Sequence, residues 1–189
     1  MTVDTVWQRG YKGSGRQISR SLVGMHRIGV LSDTHLPDTT EAAAFLRHVA
    51  EQYLQRVEMI LHAGDVVAPA VLAAFAPCPV FAVRGNMDAA APELAHKRVM
   101  QVGGVNIGLI HGWGAPEGLV NRVRREFADT ALDCLVFGHS HEPVCRHEGG
   151  LLLFNPGSAT DRRNMPHESV GMLEIDGGRV NGRIILLDG

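Results

Sequence analysis

Gly29-Val30-Leu31-Ser32-Asp33-Thr34-His35 closes an apolar run with a carboxylate and an imidazole two positions apart. The run, Arg27–Leu31, reads as a strand, so both polar side chains stand at its carboxyl end. The pattern returns along the chain. Ile60-Leu61-His62-Ala63-Gly64-Asp65 ends in an Asp, Val80-Phe81-Ala82-Val83-Arg84-Gly85-Asn86 in an Asn, Ile107-Gly108-Leu109-Ile110-His111-Gly112 in a His, and Leu135-Val136-Phe137-Gly138-His139-Ser140-His141 in two. The carboxyl ends of strands in α/β sheets border the crevice where ligands bind, so residues this far apart in sequence converge there.

Between the runs lie helical patterns. Asp38-Thr39-Thr40-Glu41 reads as an N-cap with an acidic third residue, and Ala42, Phe45, Leu46, Val49, Tyr53 and Leu54 then give a helix over about 40 to 55. Glu58–His62 and Pro79–Val83 read as buried strands, with a short buried helix at Pro69–Phe75 between them. Arg98–Val102 and Val105–Ile110 flank Gly103-Gly104, a two-residue hairpin signal. Pro116 stands at a first helical position ahead of the stripe Leu119, Val120, Val123 and Phe127, whose opposite face, with Arg122, Arg124 and Arg125, reads as solvated. Cys134–Phe137, Pro143–Arg146, Leu151–Phe154, Val170–Asp176 and Arg179–Leu187 complete a strand-rich second half. Apolar strands alternating with helices predict an α/β fold, two packed sheets covered by helices.

The 189 residues suit one domain, taken as 25–189. Residues 1–24 show no periodicity and read as an extension; a mis-assigned start, an added leader and a regulatory arm are equally open. They contain no continuous apolar core of a signal peptide. Residues 66–83 carry no charge, but Pro69, Pro77 and Pro79 break that stretch as a membrane span. Eighteen basic against twenty acidic residues give a net charge of −2, without the footprint of a dedicated nucleic-acid or anionic-membrane binder. An anionic substrate therefore needs a local source of positive charge. Cys78, Cys134 and Cys145 form neither a disulfide framework nor a thiolate zinc site, and a reducing cytoplasm is expected.

Asp33, His35, Asp65, Asn86, His111, His139 and His141 supply two carboxylates, one amide and four imidazoles. Such a mixed oxygen and nitrogen set suits Mn²⁺, Fe²⁺, Co²⁺, Ni²⁺ or Zn²⁺ better than Mg²⁺ or Ca²⁺ alone. Seven ligands exceed the need of one ion and match two, sharing a carboxylate at roughly 3.5–4 Å separation. Taken singly, each piece is more ordinary, a turn or a core histidine; the ordered set of five is what signals a metal site. Gly64, Gly85 and Gly138 each precede a ligand and are expected to let the backbone turn there. His62 reads as core or as a support to the site rather than a ligand, and Arg84 faces substrate or pairs with an acid with equal weight. Asn155-Pro156-Gly157-Ser158 reads as a rigid strand-end turn. His26, His48, His96, His147 and His167 match no block and are assigned to the surface.

The ordered blocks Asp33-x-His35, Gly64-Asp65, Gly85-Asn86, His111-Gly112 and Gly138-His139-Ser140-His141 resemble those of the calcineurin-like metallophosphoesterases. With Arg84-Gly85-Asn86-Met87-Asp88 and Asn155-Pro156-Gly157-Ser158, the likeness is greatest to small YfcE-type phosphodiesterases and covers about 27 to 187. The resemblance implies two mixed β-sheets flanked by helices in an αββα sandwich, with a dinuclear centre, Mn²⁺ foremost. By it, Asp33, His35 and His141 hold one ion, Asn86, His111 and His139 the other, and Asp65 bridges them; Asp65, Asn86 and His111 are assigned to catalysis. It further implies a hydroxide between the ions attacking a small phosphodiester, and a homo-oligomer, as is common among members. Many members carry a His after the Asn that protonates the leaving group. Met87 cannot, which predicts a slower enzyme that prefers good leaving groups. Asp88 is expected to orient a His ligand. The alternatives are a phosphomonoesterase and a Vps29-like binding scaffold. A scaffold's site should have lost several ligands, and all seven are present.

Overall fold

A computed structural model of the chain describes residues 24–88, 91 and 93–188, so the extension read over 1–24 lies outside them except for Gly24. Strands β1 (His26–Leu31), β2 (Met59–His62) and β3 (Val80–Ala82) run parallel in one sheet, to which β9 (Ser169–Asp176) and β10 (Arg179–Leu186) add antiparallel, giving the order β10-β9-β1-β2-β3. The second sheet has the order β4-β5-β6-β8-β7, built from β4 (Lys97–Val102), β5 (Val105–Ile110), β6 (Cys134–Val136), β7 (Val144–Glu148) and β8 (Leu151–Asn155). Its three central strands are parallel and its edges antiparallel. Both sheets are mixed, as expected.

Period-two alternation assigns the layers. Ile28, Val30 and Leu61 point between the sheets and meet Ile107, Leu109, Val136, Leu152, Phe154 and Leu173 in one buried cluster. Leu31 and Ile60 point the other way, onto Leu46 and Val49 of helix α1 (Thr40–Tyr53) and Val71 and Phe75 of a short 3₁₀ helix, Pro69–Phe75. Ile110, Leu135 and Leu153 likewise meet Leu119 and Val123 of α2 (Leu119–Arg125). The result is a helix, sheet, sheet, helix sandwich. No helix among the described residues is long and apolar enough to cross a membrane.

Several local expectations shift. Thr39, not Asp38, caps α1, its side chain accepting from the Ala42 amide at 3.2 Å. Pro116 lies in a turn before α2, because Gly118 at φ 73° caps that helix in the left-handed region and delays its start to Leu119. β3 is a half-buried edge strand rather than a buried one. Gly103-Gly104 does form the hairpin turn, both glycines at positive φ. His26 is half-buried and reaches Glu58 at 2.9 Å, whereas His48, His96, His147 and His167 lie at the surface.

Candidate metal centre

The loops that follow β1, β2, β3, β5 and β6 carry all seven candidate ligands to one end of the sandwich. Those loops are bent in an unusual way. Asp33 (φ 53°), His35 (47°), Asp65 (56°), His139 (71°) and His141 (60°) all adopt the left-handed region, which costs a non-glycine residue roughly 1–2 kcal/mol. Five such residues in one cluster mark a place where the fold holds side chains against local preference. The glycines beforehand serve two purposes. Gly64 takes a positive φ of 94°, as its turn requires. Gly85 and Gly138 do not, correcting the expectation: a side chain at Gly85 would land on the Asp65 carboxylate, and one at Gly138 on the Ser32 hydroxyl and the Asp33 carboxylate. There the missing Cβ makes room for ligands.

Two sets of donor atoms face one another. His141 Nε2 is 3.4 Å from Asp33 Oδ1 and 3.3 Å from His35 Nε2. His111 Nε2 and His139 Nδ1 stand 3.1 and 3.0 Å from the same amide oxygen, Asn86 Oδ1. Asp65 lies between the sets, its Oδ2 3.4 Å from His111 Nε2 and 3.9 Å from His35 Nε2. Asp33, Asp65, His111 and His141 are buried, whereas Asn86 is exposed, so the centre opens to solvent on the amide side. The donors of Asp33, His35 and His141, and those of Asp33, Asp65 and His111, lie close enough together to share an ion.

Protons on these imidazoles are directed outward. His111 Nδ1 donates to the Ala63 carbonyl at 2.7 Å, His141 Nδ1 to the Asp161 carbonyl at 2.5 Å, and His139 Nε2 to the Gly114 carbonyl at 2.7 Å. The opposite nitrogen of each ring then faces the centre, where it can ligate a metal. Asp33 Oδ2 is occupied by the Ser32 hydroxyl and the His139 amide at 2.5 and 2.9 Å, but its Oδ1 is buried with no hydrogen-bond partner among the described residues. A buried carboxylate oxygen without a hydrogen-bond partner and facing imidazole nitrogens is a donor set that a divalent metal fits.

Electrostatics agree. Burial alone raises carboxyl pKa values, yet the neighbouring histidines His141 and His111, with the Ser32 hydroxyl, hold Asp33 below its ordinary value, and His111 with the Met87 amide holds Asp65 below its own. Burial alone lowers an imidazole's pKa, yet Asp65 and Asp33 raise that of His111, and Asp33 raises that of His141. The carboxylates attract positive charge strongly enough to overcome desolvation.

Surrounding residues differ in part from expectation. Asp88 touches no histidine; it accepts backbone amides from Asp65 (2.9 Å), Gly85 (2.8 Å) and Val67 (2.7 Å), tying the two ligand loops together. Its register, three residues past Gly85, hid this role, because its partners are backbone groups. His62 is fully buried, with Nδ1 accepting from the Gly64 amide and Nε2 against the Thr34 hydroxyl at 3.1 Å, which makes it a support rather than a ligand. Arg84 is exposed and makes no ion pair among the described residues. The turn after β8 does more than end a strand: Asn155 Nδ2 donates to the Gly138 carbonyl and the Ser140 hydroxyl, and Ser158 Oγ donates to the Asp33 carbonyl at 2.7 Å. Thr160 adds a bond to the Thr34 carbonyl. A polar Asn-Pro-Gly-Ser-Ala-Thr run just after an apolar strand was the available signal for that role. Arg122 departs from the solvated reading, since its guanidinium binds the carbonyls of Trp113, Ala115 and Glu117.

Comparison with known proteins places the chain among relatives. The family model of the calcineurin-like phosphoesterase superfamily domain matches residues 26–178. A protein of Methanothermobacter thermautotrophicus described as a probable metallophosphoesterase is 37% identical over 160 residues, covering 84% of this chain and 91% of that one. Among solved structures, an archaeal phosphodiesterase superposes with a TM-score of 0.65 at 22% identity, covering 85% of this chain and 99% of the other, a likeness of fold. Vps29 of Entamoeba histolytica in complex with zinc superposes with a TM-score of 0.59 at 26% identity, covering 86% and 99%.

Proposed function

This chain belongs to the calcineurin-like phosphoesterase superfamily, and from that premise we propose that it is a phosphodiesterase working with two divalent ions, Mn²⁺ foremost, on a small phosphodiester. The observation that carries the reading is the convergence of potential metal donors: Asn86 Oδ1 against two imidazole nitrogens at 3.0 and 3.1 Å, and Asp33 Oδ1, without a hydrogen-bond partner among the described residues, against a third at 3.4 Å. Asp33, His35 and His141 would hold one ion and Asn86, His111 and His139 the other. Asp65, whose Oδ2 faces one imidazole of each set, would serve both. Ions held there supply Lewis acidity that activates water and neutralises charge developing on a phosphoryl group. The carbonyls of Ala63, Asp161 and Gly114 keep three imidazoles in the tautomer that binds metal. Met87 stands beside Asn86 without a transferable proton, so leaving groups that need no protonation are favoured, as in aryl diesters.

The test is hydrolysis of bis-p-nitrophenyl phosphate and of p-nitrophenyl phosphate by Mn²⁺-loaded protein. Faster turnover of the diester is expected. Equal rates or a preference for the monoester would move the assignment to a phosphomonoesterase. Metal uptake with no turnover of either would favour the scaffold reading.

A further inference from the structure

Five large apolar side chains are prominently exposed among the described residues, and three of them, Val67, Met87 and Trp113, lie within two positions of a candidate ligand (Asp65, Asn86 and His111). The other two lie elsewhere, Met25 just before the central strand β1 and Leu186 at the end of the edge strand β10. Three of the five thus stand on the loops that carry candidate ligands. Met87 is 57% exposed and Trp113 38%.

Neither side chain sits on loose backbone. The Met87 amide donates to Asp65 Oδ1 at 2.8 Å, anchoring its backbone to the candidate bridging carboxylate. Around the indole, the Trp113 carbonyl accepts from Arg122 Nε at 2.9 Å, the Glu117 carbonyl from the same guanidinium at 2.9 Å, and the Gly114 carbonyl from His139 at 2.7 Å. The Trp113 ring meets His96 at 6.1 Å between centroids and still leaves apolar area open to water, which favours a further contact on its free face.

We infer that Trp113 and Met87 form a jaw for the organic group that a diester retains through hydrolysis, and that the substrate class carries a flat aromatic substituent. This rests on the phosphodiesterase reading above. An indole stacks on aryl groups and nucleobases alike, and a thioether sulfur favours the edges of such rings. A monoester has no second substituent to place there, so the jaw also gives the centre a reason to favour diesters.

The experiment holds the leaving group constant. Phenyl p-nitrophenyl phosphate, methyl p-nitrophenyl phosphate and thymidine 5′-p-nitrophenyl phosphate all release p-nitrophenol and differ only in what remains. Wild-type protein loaded with Mn²⁺ is expected to favour the phenyl or thymidine diester over the methyl one by about tenfold in kcat/KM, carried by KM. Trp113→Ala should abolish that ratio and Trp113→Phe should keep most of it. The larger of the phenyl and thymidine ratios separates an aryl from a nucleobase preference. No preference in the wild type, or an equal loss on all three diesters, would overturn the inference while leaving the diesterase reading intact. If no diester is turned over, that reading fails, and quenching of indole fluorescence by diphenyl but not dimethyl phosphate, present in the wild type and lost in Trp113→Phe, still decides whether the jaw takes an aromatic group.

Discussion

Asp33 Oδ1 and His141 Nε2 stand 3.4 Å apart in the interior, while His141 Nδ1 donates to the Asp161 carbonyl on the other side of the ring. A buried carboxylate and an imidazole nitrogen held face to face draw positive charge between them, and a divalent cation fits that place. About two divalent ions per chain are therefore expected by elemental analysis after Mn²⁺ loading and desalting. Stripping them with a chelator should lower the melting temperature, and restoring Mn²⁺ should recover it, since a ligand that binds only the folded state stabilises it. A melting temperature indifferent to metal would contradict this.

Asp65 faces imidazoles of both donor sets, so one amide substitution removes charge from both. Asp65→Asn is expected to cut diester turnover by at least about 10³-fold, a loss of about 4 kcal/mol of barrier lowering. Its circular dichroism spectrum should stay native. Retention of more than a tenth of the activity would mean that no shared carboxylate is needed.

Met87 is exposed beside Asn86, with room for another side chain. Met87→His should raise turnover of p-nitrophenyl phosphate and, more strongly, of an alkyl monoester whose leaving group needs a proton, by at least about tenfold, since a positioned general acid commonly contributes about 10²–10⁴. Comparing the two leaving groups checks the cause. Equal gains on both would point to something other than proton donation.

Gly138 is close-packed against Ser32 and Asp33 although its φ is not positive. Gly138→Ala should destabilise the protein by about 1–3 kcal/mol, the usual result of overpacking, and weaken metal binding along with it, because the added methyl would press on the candidate ligand Asp33 and on the Ser32 hydroxyl bonded to it. Denaturant unfolding and metal titration measure the two effects. Tight metal binding at wild-type stability would show that the glycine's absent side chain is immaterial.

His62 is fully buried, and desolvation pushes its pKa from 6.5 down to about 4 despite nearby carboxylates. The unfolded chain takes up the proton before the folded one does. Stability from this residue is thus present above pH 6.5 and lost as pH falls from 6.5 towards 4, by about 3 kcal/mol in all. His111 and His141 shift upward and act in the opposite sense, so the contribution must be read as a difference. The gap in unfolding free energy between wild type and His62→Gln, measured from pH 7.5 to 4.5 in chelator, should narrow as pH falls. A constant gap would mean that His62 does not titrate on unfolding.

How far the chain could be read on its own differs from residue to residue. Ile28, Val30 and Leu61 announced a sheet interior through alternation, and Leu46 and Val49 a helix face through their spacing, because backbone geometry imposes those periods on any chain that buries them. Asp33, Asp65, Asn86, His111 and His139 were legible as a group because each closes an apolar run and strand ends share one side of a sheet. The roles of Asp88 and Arg122 were not, because they act on backbone amides and carbonyls, which look the same in every sequence, and the polar run holding Asn155 and Ser158 was visible only as a turn.

Local chemistry along the polypeptide therefore determined the layers of this fold, the kind of donors at its strand ends and the lack of a proton donor at position 87. Only the folded chain decided that Gly85 and Gly138 clear space rather than bend, that Asp33 keeps one oxygen without a hydrogen-bond partner among the described residues, and that Trp113 and Met87 stay exposed on ligand-bearing loops. Periodicity and residue type are carried by neighbours in sequence, whereas distance, burial and proton direction arise when segments a hundred residues apart are pressed together, as Asp33 and His139 are at 2.9 Å.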